Sequence, residues 1–408
     1  MILFDYDKAV HLMSGYGIDI LLPHTILNAG YLSDHWKHDQ YLTISNCTTL
    51  DKDETYTLLV GLPVDKYIEP FITCRRASEE GDMYNWDAWI KDKKIWGPNM
   101  LPRSKNSPLG PPCKFLFEDP FAAAAAAIKE RKLERSNIGI ELSFMNFKSF
   151  QKLKNLLPDA RFIEAGGLFL ELRLIKTSEE IKRIAKAAEI TQNALTKTIN
   201  SLQTGMSGTD ILNIVGSEHY RLGGVHEWLH TQIGPAGIDL VGPGNKCLIG
   251  KNQAIRLDTG CNYRQYQSDI SVIISVGKPH KRLLRAHKTV QKATEEILGI
   301  LKPGTKVSDI FNAGNSVLEI EKLNNYCCYV GHGIGRNVHE EPILDNRPGN
   351  VISSGMTIAV EIVTTIDDIG MIGFEDNYVI TDTGYKPLSS IGSKLHTIDD
   401  LSLSLIHI

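Results

Sequence analysis

The chain has 408 residues, 42% of them hydrophobic and 23% charged, with a formal net charge of −4, which is the composition of a soluble globular protein with material for about two domains. So balanced a charge creates no general field for polyanions or anionic lipid, and neither nucleic acid nor a membrane is expected as a partner. The seven cysteines are odd in number, scattered and free of Cys-x-x-Cys spacing, so they read as reduced thiols in a cytoplasm.

The first residues, Met1-Ile-Leu-Phe-Asp-Tyr-Asp-Lys8, hold no basic region followed by a long apolar run, so neither a signal peptide nor an anchor is expected. The apolar tail Leu401 to Ile408 is too short to span a bilayer. A short helical pattern from Ala9 leads into Gly17-Ile-Asp-Ile-Leu-Leu22, whose aliphatic density suits a buried strand. Further strands are expected at Tyr41 to Ile44 and Thr57 to Val60. Five prolines between Trp96 and Pro112 make that stretch a loop, because proline fixes φ and lacks an amide donor. Asp119-Pro120 supplies an N-cap and first-turn proline for a helix through Arg135, whose alanines suit close packing on a sheet. A strand at Ile138 to Glu141, a helix from Phe147 to Leu157 and a strand at Arg161 to Glu164 complete a small α/β domain, placed at residues 1–170.

A second domain, residues 171–408, opens with a helix capped by Thr177 or Ser178 and running to about Ser201, with Glu179 and Glu180 favourably placed in its first turn. A helix from Thr209 to Arg221 follows, then a strand with Trp228, His230 and Gln232, a loop from Gly234 to Gly244, and strands at Ala254 to Asp258 and Ser268 to Ser275. Two more helices are expected at Arg282 to Leu301 and Val307 to about Leu323. The basic run His280 to Lys288 reads as the solvated face of the first. Strands at Met356 to Val363 and Gly373 to Ile380 close the pattern. Helix pair, strands, helix pair, strands hints at an internal duplication.

Between the last helix and these strands stands Gly331-His-Gly-Ile-Gly-Arg-Asn-Val-His-Glu340, whose glycines suit a tight turn presenting His332, with His339 seven residues later. Cys327-Cys328 beside it read as small packing residues, since adjacent cysteines rarely bond each other. Asp258, Asp269, Glu361 and Glu375 all occupy strand sequence that prefers apolar residues. A carboxylate there is costly unless it is paired, hydrogen-bonded or bound to a cation. Four carboxylates converging on His332 make a ligand set for two divalent ions that leaves room for a water. Tyr263, Tyr266, Trp228 and Tyr326 either line such a pocket or belong to the core.

These residues resemble the pita-bread family of metallopeptidases: aminopeptidase P, prolidase and methionine aminopeptidase, with the non-peptidase relatives creatinase and ectoine hydrolase. Asp258-Thr-Gly260 and Ser268-Asp269 match the family's aspartate pair, Gly331-His332-Gly through His339-Glu340 its histidine motif, and Glu361 and Glu375-Asp376 its glutamates. The match runs from about Arg173 to Tyr385; the N-terminal part resembles, more loosely, the small α/β domain of prolidase, aminopeptidase P and creatinase. The resemblance implies a pita-bread catalytic domain and a homodimer in which the small domain helps close the neighbour's site. It further implies two divalent ions (Mn, Co, Fe or Zn) bridged by Asp269 and Glu375, with Asp258 on one ion and His332 and Glu361 on the other. Glu361 would take up a proton, and His339 would meet the substrate.

Three positions depart from the pattern. Val241 stands where the peptidases place a loop histidine, with His230 and His226 nearby as substitutes; Gly373 replaces an arginine; Ile362 replaces a proline after Glu361. The expected function is a dinuclear metallohydrolase cleaving a C–N bond in an Xaa-Pro dipeptide or short peptide. The alternatives are hydrolysis of a small non-peptide amide, amidine or cyclic nitrogen compound and, third, a binding protein that has kept the fold without turnover.

Overall fold

A computed structural model describes residues 2–34, 58–75, 89–97, 117–237, 242–244, 247–323 and 328–399. The strand expected at Tyr41, most of the proline loop, Val241, Tyr326, Cys327 and the apolar tail lie outside the described residues. The chain divides into two compact units, Met1–Arg173 and Leu174–Ile408.

The first unit is built on a six-stranded mixed sheet ordered β4-β3-β2-β1-β5-β6, with β1 at Ile20–Leu21, β2 at Leu59–Pro63, β3 at Phe71–Arg75, β4 at Asp92–Trp96, β5 at Asn137–Ile140 and β6 at Arg161–Glu164. Helices α1 (Tyr6–Tyr16), α2 (Ile26–Ser33), α3 (Pro120–Glu130) and α4 (Phe147–Leu156) accompany it. Asp119 caps α3 by accepting from the amides of Phe121 and Ala122. The small side chains of Ala124, Ala125 and Ala127 let that helix lie close to Ile20, Leu59, Phe71 and Ile138 in one apolar core. The helix ends earlier than its sequence suggests, because Lys132 takes a positive φ of 55°. A further helix, α5 (Gly166–Leu174), had no clear sequence signal, since two glycines open it.

The second unit carries a ten-stranded sheet whose main path is β12-β11-β13-β14-β10-β8-β7. These strands are β7 Val225–Ile233, β8 Ala254–Tyr263, β10 Ile270–Val276, β11 Gly331–Gly333, β12 Glu340–Ile343, β13 Thr357–Ile366 and β14 Gly370–Ile380; short strands β9 (Tyr266–Gln267), β15 (Tyr385–Pro387) and β16 (Leu395–Ile398) pair with β8, β14 and β10. Helix α6 (Ser178–Ile199) starts at a capping box in which Thr177 and Glu180 satisfy each other's backbone amides. Helix α7 (Gly208–Arg221) starts with the same device, made by Ser207 and Asp210. Together they cover Leu229, Leu257, Ile270 and Val272. The second helix pair, α8 (Lys281–Ile300) and α9 (Val307–Ile320), covers Val360, Ile362, Phe374 and Tyr378. Each helix pair thus seals part of one sheet face, and among the described residues no helix is long and apolar enough to cross a membrane.

The expected tight turn at His332 is instead strand β11, paired on both sides. Its glycines serve close approach. A Cβ at Gly331, which has φ 146°, would lie 2.2 Å from the Ala359 carbonyl oxygen, and one at Gly333 would lie 2.3 Å from that of Glu341.

Candidate metal centre

Antiparallel register sets one row of residues across five strands. His230 of β7 faces Asp258 of β8, Asp258 faces Ser271 of β10, Ser271 faces Glu375 of β14, and Glu375 faces Glu361 of β13. Directly opposed residues project to the same side of a sheet, so all five side chains share the face opposite the helices. His332 joins them because it pairs with Ala359, two residues before Glu361. Asp269 precedes Ser271 by two residues and is held by Asn377, whose amide group donates to Asp269 O at 2.6 Å and accepts from Asp269 N–H at 3.1 Å.

The sequence-expected ligands converge. Asp258, Asp269 and Glu375 form one group whose ligand atoms lie within 4.8 Å of one another, and His332, Glu361 and Glu375 form a second. His332 Nδ1–H donates to Gly333 O at 3.1 Å, which turns the Nε2 lone pair toward Glu375 Oε1 at 3.4 Å and Asp269 Oδ2 at 3.6 Å. Burial lowers the His332 pKa, which favours the neutral ring, and its lone pair faces two carboxylate oxygens. Burial, and then the neighbouring carboxylates, push Asp269 and Glu375 well above the usual carboxylate range.

Asp258 Oδ1, Asp269 Oδ1, His332 Nε2 and Glu375 Oε1 are all buried without a hydrogen-bond partner. Four unsatisfied acceptors aimed into one space are costly to a fold, and a divalent cation satisfies them together. The residues present therefore fit a divalent metal ion.

His339 stands beside this cluster. Its ring is exposed, 4.0 Å from the His332 ring centroid at 63°, and with Asp269 and His332 it forms a third group within 4.8 Å. Tyr329 lies edge-on to both imidazoles at 6.3 Å. The two histidines of β7 part company: a β-bulge between His226 and Trp228 changes the register there. His226 bonds through Nδ1 to His219 Nδ1 at 3.0 Å in helix α7, whereas His230 opposes Asp258. His230 Nδ1 accepts the Gly242 N–H at 2.7 Å, which leaves its proton on Nε2. At Gly373 the sheet has no room for a side chain, because a Cβ would lie 2.3 Å from Ile362 O and 2.7 Å from Val363 Cα. Of the aromatic residues, Tyr266 belongs to the core, donating its hydroxyl to Glu180 at 3.0 Å, and Trp228 lies over Gly260.

Arg256 is the residue that sequence reading missed. It stands two residues before Asp258 in the same strand, hence on the same face, and its guanidinium contacts both Asp258 and Glu361. The available signal was the one used for the acids, a charge inside an otherwise apolar strand. Lys176 and Glu340 form a second buried ion pair at 3.2 Å, and Glu340 also accepts from the Arg336 and Asn337 amides, which fastens the chain between His332 and His339.

Residues 182–382 match the model of metallopeptidase family M24, and residues 75–175 match that of the creatinase/prolidase N-terminal domain. An Xaa-Pro dipeptidase of Lactobacillus delbrueckii subsp. lactis is 24% identical over 286 residues, spanning 69% of this chain and 78% of that one. An uncharacterized peptidase of Bacillus subtilis is 28% identical over 257 residues, spanning 62% and 72%. The solved Xaa-Pro dipeptidase of Bacillus anthracis shares the fold with a TM-score of 0.77 at 21% identity, over 97% of this chain and all (100%) of that one. The two-domain layout, the converging carboxylates and both family matches lead to one assignment: the chain belongs to metallopeptidase family M24, the pita-bread metallohydrolases, and is a metal-dependent enzyme of that family.

Proposed function

We propose that the protein is a dinuclear metallopeptidase that hydrolyses the peptide bond preceding proline in dipeptides or short peptides. The observation that carries this reading is the set of four buried, unpartnered ligand atoms on Asp258, Asp269, His332 and Glu375. The Xaa-Pro dipeptidases among the relatives favour a peptide substrate over a small non-peptide amide. Asp258, Asp269, His332, Glu361 and Glu375 would hold the ions. Bound divalent ions would supply Lewis acidity, lowering the pKa of a water and polarising the scissile carbonyl.

The protein's own groups do the rest. Glu361, with Oε1 fixed by Arg256 at 2.7 Å, is oriented to accept a proton from the attacking water and pass it to the leaving nitrogen. Partial desolvation beside the cluster, then His332, lower the His339 pKa, so a neutral imidazole is offered to the substrate as a hydrogen-bonding group. His230 Nε2–H on the same face is a second donor for a substrate carboxylate or carbonyl. A homodimer in the cytoplasm is the setting we infer, and sizing in solution tests the dimer. Manganese, cobalt, iron and zinc all suit this ligand set. The deciding experiment assays Xaa-Pro dipeptides and proline-second tripeptides after chelation and re-addition of each metal. Metal-restored turnover is expected, and a metal-loaded protein inert toward every such peptide would refute the reading.

A further inference from the structure

Arg256 is buried, its side chain 3% exposed, and its guanidinium reaches across the sheet. Nη1 donates to Asp258 Oδ2 at 3.1 Å and to Gln232 Oε1 at 3.4 Å; Nη2 donates to Glu361 Oε1 at 2.7 Å and to Ser271 Oγ at 3.0 Å. Asp258 and Glu361 belong to β8 and β13, which β10 and β14 separate, so one side chain links acids from non-adjacent strands. A buried cation persists only where acids compensate it, and a guanidinium fixes two acceptors at once through its planar fork, which an ammonium does not. Its direct partners across the sheet, Gln232 of β7 and Ile273 of β10, carry no charge, so the charge there is that of Arg256.

Resting on the metal-centre reading above, we propose that Arg256 is a positioning residue that clamps Asp258 to Glu361 and acts as the centre's resident cation. It keeps the carboxylate cluster assembled without metal and, by engaging one oxygen of each acid, fixes which oxygen each presents to metal. Asp258 shows the consequence, since Oδ2 is engaged by the guanidinium while Oδ1 is buried without a partner. Four carboxylates gathered in one buried space repel each other, and Arg256 offsets part of that repulsion before any ion arrives.

The test uses the full chain as wild type, Arg256→Met and Arg256→Lys, with Mn²⁺ as the probe. Melting temperatures are measured after chelation and with Mn²⁺ restored, and Mn²⁺ affinity is measured by calorimetry. Arg256→Met should widen the gap between loaded and chelated melting temperatures by about 5 °C or more. Arg256→Met should by linkage bind Mn²⁺ correspondingly more tightly, whereas Arg256→Lys should bind it about 10- to 100-fold more weakly, because lysine restores the charge without the fork. Arg256→Lys should narrow the gap to match its weaker binding, opposite in sign to Arg256→Met, which separates charge from positioning. An unchanged gap and affinity in Arg256→Met, or a loss equal in the loaded and chelated forms, overturns the clamp. Should Arg256→Met fail to fold, wild-type Mn²⁺ affinity in Arg256→Lys overturns it instead. A wild type that takes up no Mn²⁺ refutes the metal-centre reading itself, a result distinguishable from either.

Discussion

The two faces of the ten-stranded sheet are made from alternate residues of the same strands, yet they follow opposite rules. On one, Leu257, Val272, Ile362 and Phe374 are sealed under helices; each such side chain contributes about 1.5–3 kcal/mol by leaving water. On the other, Asp258, Glu375 and Glu361 stand in a single cross-strand row, and Asp258 and Glu375 each leave an acceptor unsatisfied. The apolar face supplies stability, and the polar face uses some of it to hold like charges together. A one-residue slip of any central strand would exchange the faces, so the helix-side packing also fixes the register of the site.

The largest break in this comparison comes from the polar face. Asp269→Asn and Glu375→Gln should each lower kcat/KM by about 10³-fold or more and release metal, since each removes an anionic ligand. Chelated protein should respond in the opposite sense: with fewer buried carboxylates to repel one another, the variants should melt no lower than chelated wild type. Metal analysis, peptide assay and thermal unfolding on one preparation decide this, and a large loss of chelated-state stability would contradict it.

Leu257→Ala alters the adjacent residue on the opposite face. Leu257 is fully buried in the helix-side core, so truncation should cost about 2–5 kcal/mol. Metal content and turnover per folded molecule should stay near wild type. Urea unfolding alongside an active-site-normalised assay separates the two effects.

This asymmetry also explains what the sequence disclosed. Dense aliphatic β-type runs located β8, β10, β13 and β14, and acids inside those runs located the candidate ligands, because both signals are local. Arg256 is likewise a charge inside such a run but resembled no motif, and its meaning depends on Glu361, 105 residues away. The choice between His226 and His230 depended on a β-bulge that no spacing reveals. The glycines around His332 suggested a turn, whereas they admit neighbouring strands, a distinction that only the partner strands make visible.

His339→Ala sharpens the comparison within the polar face. His339 is exposed at the edge of the cluster rather than buried in it, so its removal should lower kcat/KM by about 10- to 100-fold, the scale of one lost hydrogen bond in a transition state, while metal stays bound. Loss of metal together with activity would instead make it a ligand.

The smallest effect separates the faces by the sign of their pH dependence. Beneath the sheet, His219 lies between His226 and Thr191, and Thr191 bonds to Ser268 at 2.9 Å. Burial, and then His226, push His219 down to about 3. The unfolded chain, with an imidazole pKa near 6.5, takes up this proton first, so its stabilisation is present above that pH and is lost as pH falls. Between pH 7.5 and 5.5 the loss should be about 1.4 kcal/mol, and His219→Asn should remove that much of the slope in urea unfolding. Asp269 and Glu375 act the other way in chelated protein: their raised folded-state values mean that stability is lost as pH rises above the unfolded carboxylate range. Equal slopes for wild type and His219→Asn would show that the helix side is not held neutral, and the contrast in sign would then rest on the carboxylates alone.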